Sequence, residues 1–473
     1  MADYIGAISK LTADAAMGPP GLVVPLKPPM KFDQALQDAL DRALAEVQTE
    51  LTAARAAHPE LPETLEPFGF AVADLSEGIA GFDKNTPAYA GRRDTKLLAV
   101  ASLGKILPLY VAHLIRAAAR DVVTATGVTT IDQLGPLLRN HLQRLGAADD
   151  TFPLIEDMLD LADGVVDFKT GGSRWPGAVG VIGDVDLNLI DENDDRTATI
   201  SGKVRDSMAP AAKRTIVRGM LEDVAFREQL RLMARWSNDV SASVVIQAIG
   251  FPFLWRMANR SGLFRSGGWV ELLDGPRKGT LVDPGGIFLG LDYSGNAWTS
   301  RPLQAPVQNK KPSQAGNARA VAQLMVSLAH ELIDDEARIS MREMLRKNTQ
   351  FIAPNDQGER SPIGKGMVPE GYAPDQQAWG FADILGSGTV GGYALRNGDL
   401  AVSKVGLLRK QGLSVASNAV LVRCRPQLPA GAPIISAVLV GIGNWHGVDY
   451  DVLALLLNSF GKFMAVELVN RHL

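Results

Sequence analysis

Apolar residues recur at helical spacing through FDQALQDALDRALAEVQTEL, with charged residues between them, which predicts an amphipathic helix from Phe32 to about His58. Phe68–Leu75, FGFAVADL, reads as a strand, and the turn-like SEGIAG follows it. Leu97–Ile115 is almost wholly apolar, LLAVASLGKILPLYVAHLI, and predicts a buried helix that carries Ser102 and runs to about Ala119. A further helical stretch lies near 131–162, and 169–197, KTGGSRWPGAVGVIGDVDLNLIDENDDRT, is dense in Gly and Asp. Helical periodicity returns in 209–235 and 239–260, then Gly and Pro punctuate 265–316. A helix is predicted from about Asn317 to Ile333, with a shorter one near 335–347. The final quarter reads as sheet: YALR-NG-DLAVSK carries an Asn-Gly hairpin signal, and SNAVLVRC and IISAVLVGIG are two further strands. Tyr450–Leu473 is a closing helix. Strands segregated from helices predict an α+β fold, an antiparallel sheet flanked by helices plus a helical subdomain.

Composition narrows the function classes. The chain has 473 residues, with 48 Lys+Arg against 52 Asp+Glu and a formal net charge of −4. That balance leaves no electrostatic footprint for nucleic acid. One cysteine, Cys424, excludes an internal disulfide framework and any multi-cysteine metal site. The six histidines have no paired metal spacing, so neither a metal nor a cofactor is expected. The N-terminus lacks a basic region followed by an apolar stretch, so the chain as written reads as cytoplasmic, and as periplasmic or secreted if a leader was removed. The membrane-length segment 97–115 has Lys105 near its centre, which costs about 2.5–3.5 kcal/mol in a bilayer and argues for a core helix, with no membrane span.

Lys105 needs a reason to be there. Ser102-Leu103-Gly104-Lys105 stands where a polar loop enters a helix, so the serine hydroxyl sits near unpaired backbone N–H groups. A lysine three residues on lies over the same face, and burial lowers its proton affinity, which suits it to act as general base for the serine. Ser459-Phe460-Gly461-Lys462 has the same pattern inside the last helix, with no accompanying site. Other signals have plain readings. Gly386–Gly391 matches a dinucleotide fingerprint but leads into a hairpin, and Asp184-x-Asp186-x-Asn188 resembles a calcium loop but has Leu189 where glycine is required.

Three motifs in order, Ser102-x-x-Lys105, Ser237-Asn238-Asp239 and Lys404-Val405-Gly406, resemble those of the serine β-lactamase and penicillin-binding-protein superfamily, and of class A β-lactamases in particular. The resemblance covers about 32–118, 217–264, 317–347 and 398–473. It implies a bacterial serine hydrolase or acyltransferase that forms an acyl-enzyme on an ester or amide, β-lactams among them. It also implies roles: Ser102 as nucleophile, Lys105 as its proton acceptor, Ser237 as proton relay and Lys404 as positive charge for a substrate carboxylate. Asp239, Gly406 and Leu407 would line the substrate, and the N–H groups of Ser102 and Leu407 would form the oxyanion hole.

Two motifs depart from the pattern. Asp239 stands where the family has an Asn amide, and a carboxylate there pairs with Lys105 or Lys404 and keeps that lysine protonated. Val405 replaces the usual Thr, and no counterpart of the class A deacylating glutamate is evident. The literal Lys169-Thr170-Gly171 precedes the second motif and reads as a decoy. Slow or different acyl transfer is therefore expected, with a small molecule or peptide as substrate. A non-catalytic scaffold or ligand-binding relative is the alternative, and a cell-wall peptidase would need export. The expected organisation is an extended arm at 1–31 and one domain at 32–473. Its α/β part is 32–100 and 398–473 and its helical part 101–347, with insertions near 120–215, 265–316 and 348–397.

Overall fold

The computed structural model describes residues 26, 29–76, 86–127, 133–138, 190–191, 197–198, 226–235, 237–250, 253–254, 257–258, 261–263, 286–289, 293, 314–330, 332–333, 335–348, 389–390, 393–394, 400–410, 412–424 and 435–472. The expected arm at 1–31 and most of the three expected insertions lie outside these residues, as do the Asp184 loop and Lys169–Gly171. The strands are β1 Lys31–Phe32, β2 Phe68–Asp74, β3 Ala88–Arg92, β4 Leu98–Ala99, β5 Ile190–Asp191, β6 Thr197–Ala198, β7 Ile287–Leu289, β8 Gln314–Gly316, β9 Thr389–Val390, β10 Tyr393–Ala394, β11 Leu400–Lys410, β12 Leu413–Cys424 and β13 Ile435–His446. The helices are α1 Gln34–Ala54, α2 Ile106–Thr126, α3 Phe226–Arg235, α4 Asp239–Ile249, α5 Ala318–Ala329, α6 Asp335–Asn348 and α7 Tyr450–His472.

The described residues form two compact units. One draws on Pro25–Gly104, Ser261–Leu289 and Ser313–Leu473, the other on Lys105–Arg260 and Gly290–Pro312. The first unit is built on a six-stranded sheet in the order β1-β3-β2-β13-β12-β11, antiparallel except for the short β1–β3 pair. This is the α+β class that the strand and helix order predicts. Alternate residues of each strand face opposite sides. Phe68, Phe70, Val72, Ala416, Val420 and Leu439 join one core with Leu40 and Val47 of α1 and with Phe460 and Met464 of α7. Removing one such aromatic, Phe460 for instance, costs about 3–5 kcal/mol by transfer and cavity terms. Residues of the other parity, such as Val438 and Val440, face α5, which packs on β2, β12 and β13. The second unit packs α2, α3 and α4 together. Their buried faces include Leu109, Leu230, Met233, Val245 and Ile246.

The helix expected at Phe32–His58 forms over Gln34–Ala54, capped by Asp33, whose Oδ1 accepts from Leu36 N at 2.7 Å. The segment 97–115 is less uniform than its apolar run suggests. Leu98–Ala99 is a strand, Ala101–Lys105 a 3₁₀ turn, and the α-helix begins at Ile106. Asn397-Gly398, where a hairpin is expected, lies outside the described residues. Tyr393–Ala394 pairs with Thr389–Val390, and β11 pairs with β12, before which Gly412 has φ +79°, a conformation open to glycine. The second Ser-x-x-Lys is structural: the Ser459 hydroxyl donates to Glu50 of α1, and Lys462 lies 3.9 Å from the same carboxylate. α7 is long and apolar enough to cross a membrane by length and composition, yet over half of its most apolar window is buried in the protein.

A buried ionic cluster ties the end of α7 to the sheet. Asp74, wholly buried at the end of β2, accepts from Arg471 Nε at 3.1 Å and lies 3.0 Å from His472 Nε2. Burial pushes the Asp74 carboxyl up, but hydrogen bonding and charge from His472, with hydrogen bonds from Ser76, outweigh it and hold the group below the ordinary carboxylate range. A carboxylate depressed in the folded state stabilises fully above its unfolded pKa, and that contribution is lost as pH falls through the folded value. Asp74→Ala should therefore cost about 3–5 kcal/mol in urea unfolding at pH 7, with the gap to the parent closing as pH drops below about 4. A gap that stays constant down to pH 2 would contradict this role.

Candidate functional site

Ser102 sits on the 3₁₀ turn Ala101–Lys105. From Val100 to Ile115 every residue is buried except Ser102, which is partly exposed. Ala101, immediately before it, has φ +45°, a left-handed conformation that costs a non-glycine residue about 1–3 kcal/mol. In the sheet unit this turn is fixed from two directions. Val100 N donates to Gln314 O at 3.2 Å, and β4 pairs with β8. Upstream, Asp94 anchors the approach by accepting from Tyr89 and from Arg319 Nε at 2.6 Å.

The third motif lies on β11, the edge strand of the sheet. Lys404 and Gly406 share one face by the two-residue period. A Cβ at Gly406 would lie 2.5 Å from Leu103 N and 2.6 Å from Ser417 Oγ, and would collide with Val100 O as well. Only a residue without a side chain lets β11 run against the turn that bears Ser102. The Ser417 hydroxyl, which sequence reasoning missed, seals the approach by donating to Val100 O at 2.7 Å, and it lies 3.1 Å from Gly406 O. Lys404 is fully buried, and its Nζ lies 3.4 Å from Val405 O. Asn418 Nδ2 donates to Lys404 O at 3.0 Å and to Ser403 Oγ at 3.1 Å. Leu407 is opposite Ala416 and packs on the core beneath α1 and α7.

The helical unit holds the remaining candidates. Lys105 lies at the end of the 3₁₀ turn, three residues after Ser102, and in such a turn residues three apart are eclipsed. Its Nζ donates to the Ser237 carbonyl, to Ser237 Oγ at 3.3 Å and to Asp239 Oδ1 at 2.5 Å. Asp239 pairs with Lys105, one of the two partners left open for it, and the two side chains are 0% and 10% exposed for Lys105 and Asp239 respectively. Tyr293 places its ring 4.5 Å from Nζ. Nothing in the Gly- and Pro-punctuated segment 265–316 marked that tyrosine. Ser237 is itself strained, with φ +58°. Asn238, the middle residue of the motif, caps α4 by accepting from Ser241 N at 2.8 Å, a role its place before a helical run could have revealed. Among the described residues no group of three or more His, Cys, Asp or Glu could hold a metal ion.

No protein-family description and no curated protein matches the chain. β-Lactamases are among the solved structures that match. One from Xanthomonas campestris is 11% identical, covers 90% of this chain and 97% of its own, and has a TM-score of 0.38. The L2 protein complexed with relebactam is 11% identical, with 92% and 100% covered and a TM-score of 0.39. A class A β-lactamase from Bacteroides cellulosilyticus is 10% identical, with 90% and 99% covered and a TM-score of 0.39.

Gly406→Ala should force β11 away from the Ser102 turn at a cost of about 1–3 kcal/mol, read as a lower urea midpoint. An unchanged midpoint would show that the strand does not pack this closely.

Proposed function

We propose that the chain is a serine hydrolase or acyltransferase of the β-lactamase-like superfamily, acting through an acyl-enzyme at Ser102. The observation that carries this reading is a partly exposed serine on an otherwise buried, strained turn at the start of a helix. Strain retained in a packed segment is characteristic of sites where geometry serves chemistry. In the proposed reaction Ser102 Oγ bonds to the carbonyl carbon of an ester or amide and gives its proton to Lys105. The carbonyl electron pair moves onto oxygen, where the N–H groups of Ser102 and Leu407 receive it. Each such donor is worth about 2.7–4 kcal/mol where one has been removed from an oxyanion hole. The pair then returns, the bond to the leaving oxygen or nitrogen breaks, and the leaving group takes a proton through Ser237. Water, or a second nucleophile, later releases the acyl group and restores Ser102. Lys404 contributes positive charge towards an anionic part of the substrate.

A non-catalytic ligand-binding role is the second reading, favoured by one observation: the Lys105 ammonium is already paired with Asp239. Covalent labelling separates the two. Incubation with a fluorophosphonate and with a fluorescent penicillin, followed by peptide mass spectrometry, should place an adduct on Ser102 that Ser102→Ala abolishes. Absence of any adduct with either probe would exclude the enzyme and leave the binding protein.

A further inference from the structure

Four contacts of Lys105 Nζ favour a cation. An ammonium has three N–H donors and no acceptor. Here it meets three acceptor atoms: the Ser237 carbonyl, Ser237 Oγ at 3.3 Å and Asp239 Oδ1 at 2.5 Å. The face of the Tyr293 ring, 4.5 Å away, adds attraction for positive charge. A neutral amine would lose one of its three donors and turn a lone pair towards these acceptors, of which the Ser237 carbonyl and the Asp239 carboxylate cannot donate in return. The left-handed backbone at Ser237 accompanies its carbonyl's contact with Nζ, so one strained residue takes part in closing the shell. With an Asn amide at position 239, as in the family the motifs resemble, the negative charge would be gone.

We infer that Asp239 is a positioning residue that latches Lys105 in its ammonium form, so that the site rests with its base switched off and works only when that proton leaves. The inference builds on the reading of Ser102 as nucleophile and Lys105 as its proton acceptor. Asp239 acts through Lys105 and takes no part in bond making. Two titratable groups face Lys105, Asp239 at the start of α4 and the phenol of Tyr293. α3, which also packs on α2, carries Arg227 and Arg231, and His113 lies two turns further along α2 with its Nδ1 2.9 Å from Leu109 O.

The test is the second-order rate of Ser102 labelling by a fluorophosphonate between pH 6 and pH 10, in the full chain and in Asp239→Asn. The parent rate should climb steeply with pH. The variant's rise should move to lower pH by a unit or more, which makes it at least about tenfold faster at pH 7. Superimposable profiles for parent and variant would overturn the latch while leaving Ser102 as the nucleophile. Absence of Ser102 labelling in both proteins at every pH would overturn the latch and the hydrolase reading together. Asp239→Ser serves the same comparison if the Asn variant does not fold, and a parent profile that is flat across the range overturns the latch on its own.

Discussion

An ammonium taken out of water must be met by acceptors, and the requirements of Lys105 organise the second unit. Leaving such a charge unpaired costs several kcal/mol, more than a marginally stable fold can spare. Asp239 and Ser237 meet it, and they stand next to each other because Asn238 between them caps α4. The order Ser-Asn-Asp therefore divides into three tasks: a strained residue that offers carbonyl and hydroxyl, a cap, and a counter-charge. Removing Asp239 changes the charge of the cluster without removing the cap, which is why that residue can be altered separately from the helix it begins.

The sheet unit obeys a different constraint, close approach of backbones. β11 can lie against the Ser102 turn only because position 406 lacks a side chain, and Ser417 then ties Val100 to that contact. Ala101 keeps its left-handed conformation because β4, β8 and the Asp94 anchor determine the chain on its upstream side. The result is a serine that alone reaches solvent from a buried segment. Lys404 and Gly406 project to one side of the strand while Leu407 packs to the other. A single strand can thus present charge and close backbone contact on one face and anchor itself in the core with the next.

Much of the fold was legible from periodicity. β12 and β13 are apolar runs long enough to be sheet, and α1, α5 and α7 carry helical spacing over four or more turns or end in clear caps. β3 was not, because AYAGR is short and mostly small. The β11–β12 pairing was not legible either, because Gly412, with its φ of +79°, stands among residues that carry no stronger turn signal. Of the site, the motif spacing singled out Ser102, Lys105, Ser237, Asp239, Lys404, Gly406 and Leu407. Which lysine Asp239 would take could not be read from spacing, since that depends on which helix packs on which. Tyr293 and Ser417 had no local signal at all. Each matters only through a contact with a residue far away in sequence.

The central claim is that the Ser102 turn can form and hold a tetrahedral adduct. A crystal structure with a small boronic acid bound tests it most directly. Boron should be bonded to Ser102 Oγ, with one boron-bound oxygen accepting from the N–H groups of Ser102 and Leu407. Boronate bound anywhere without a bond to Ser102, or with its oxygen turned away from both N–H groups, would contradict it.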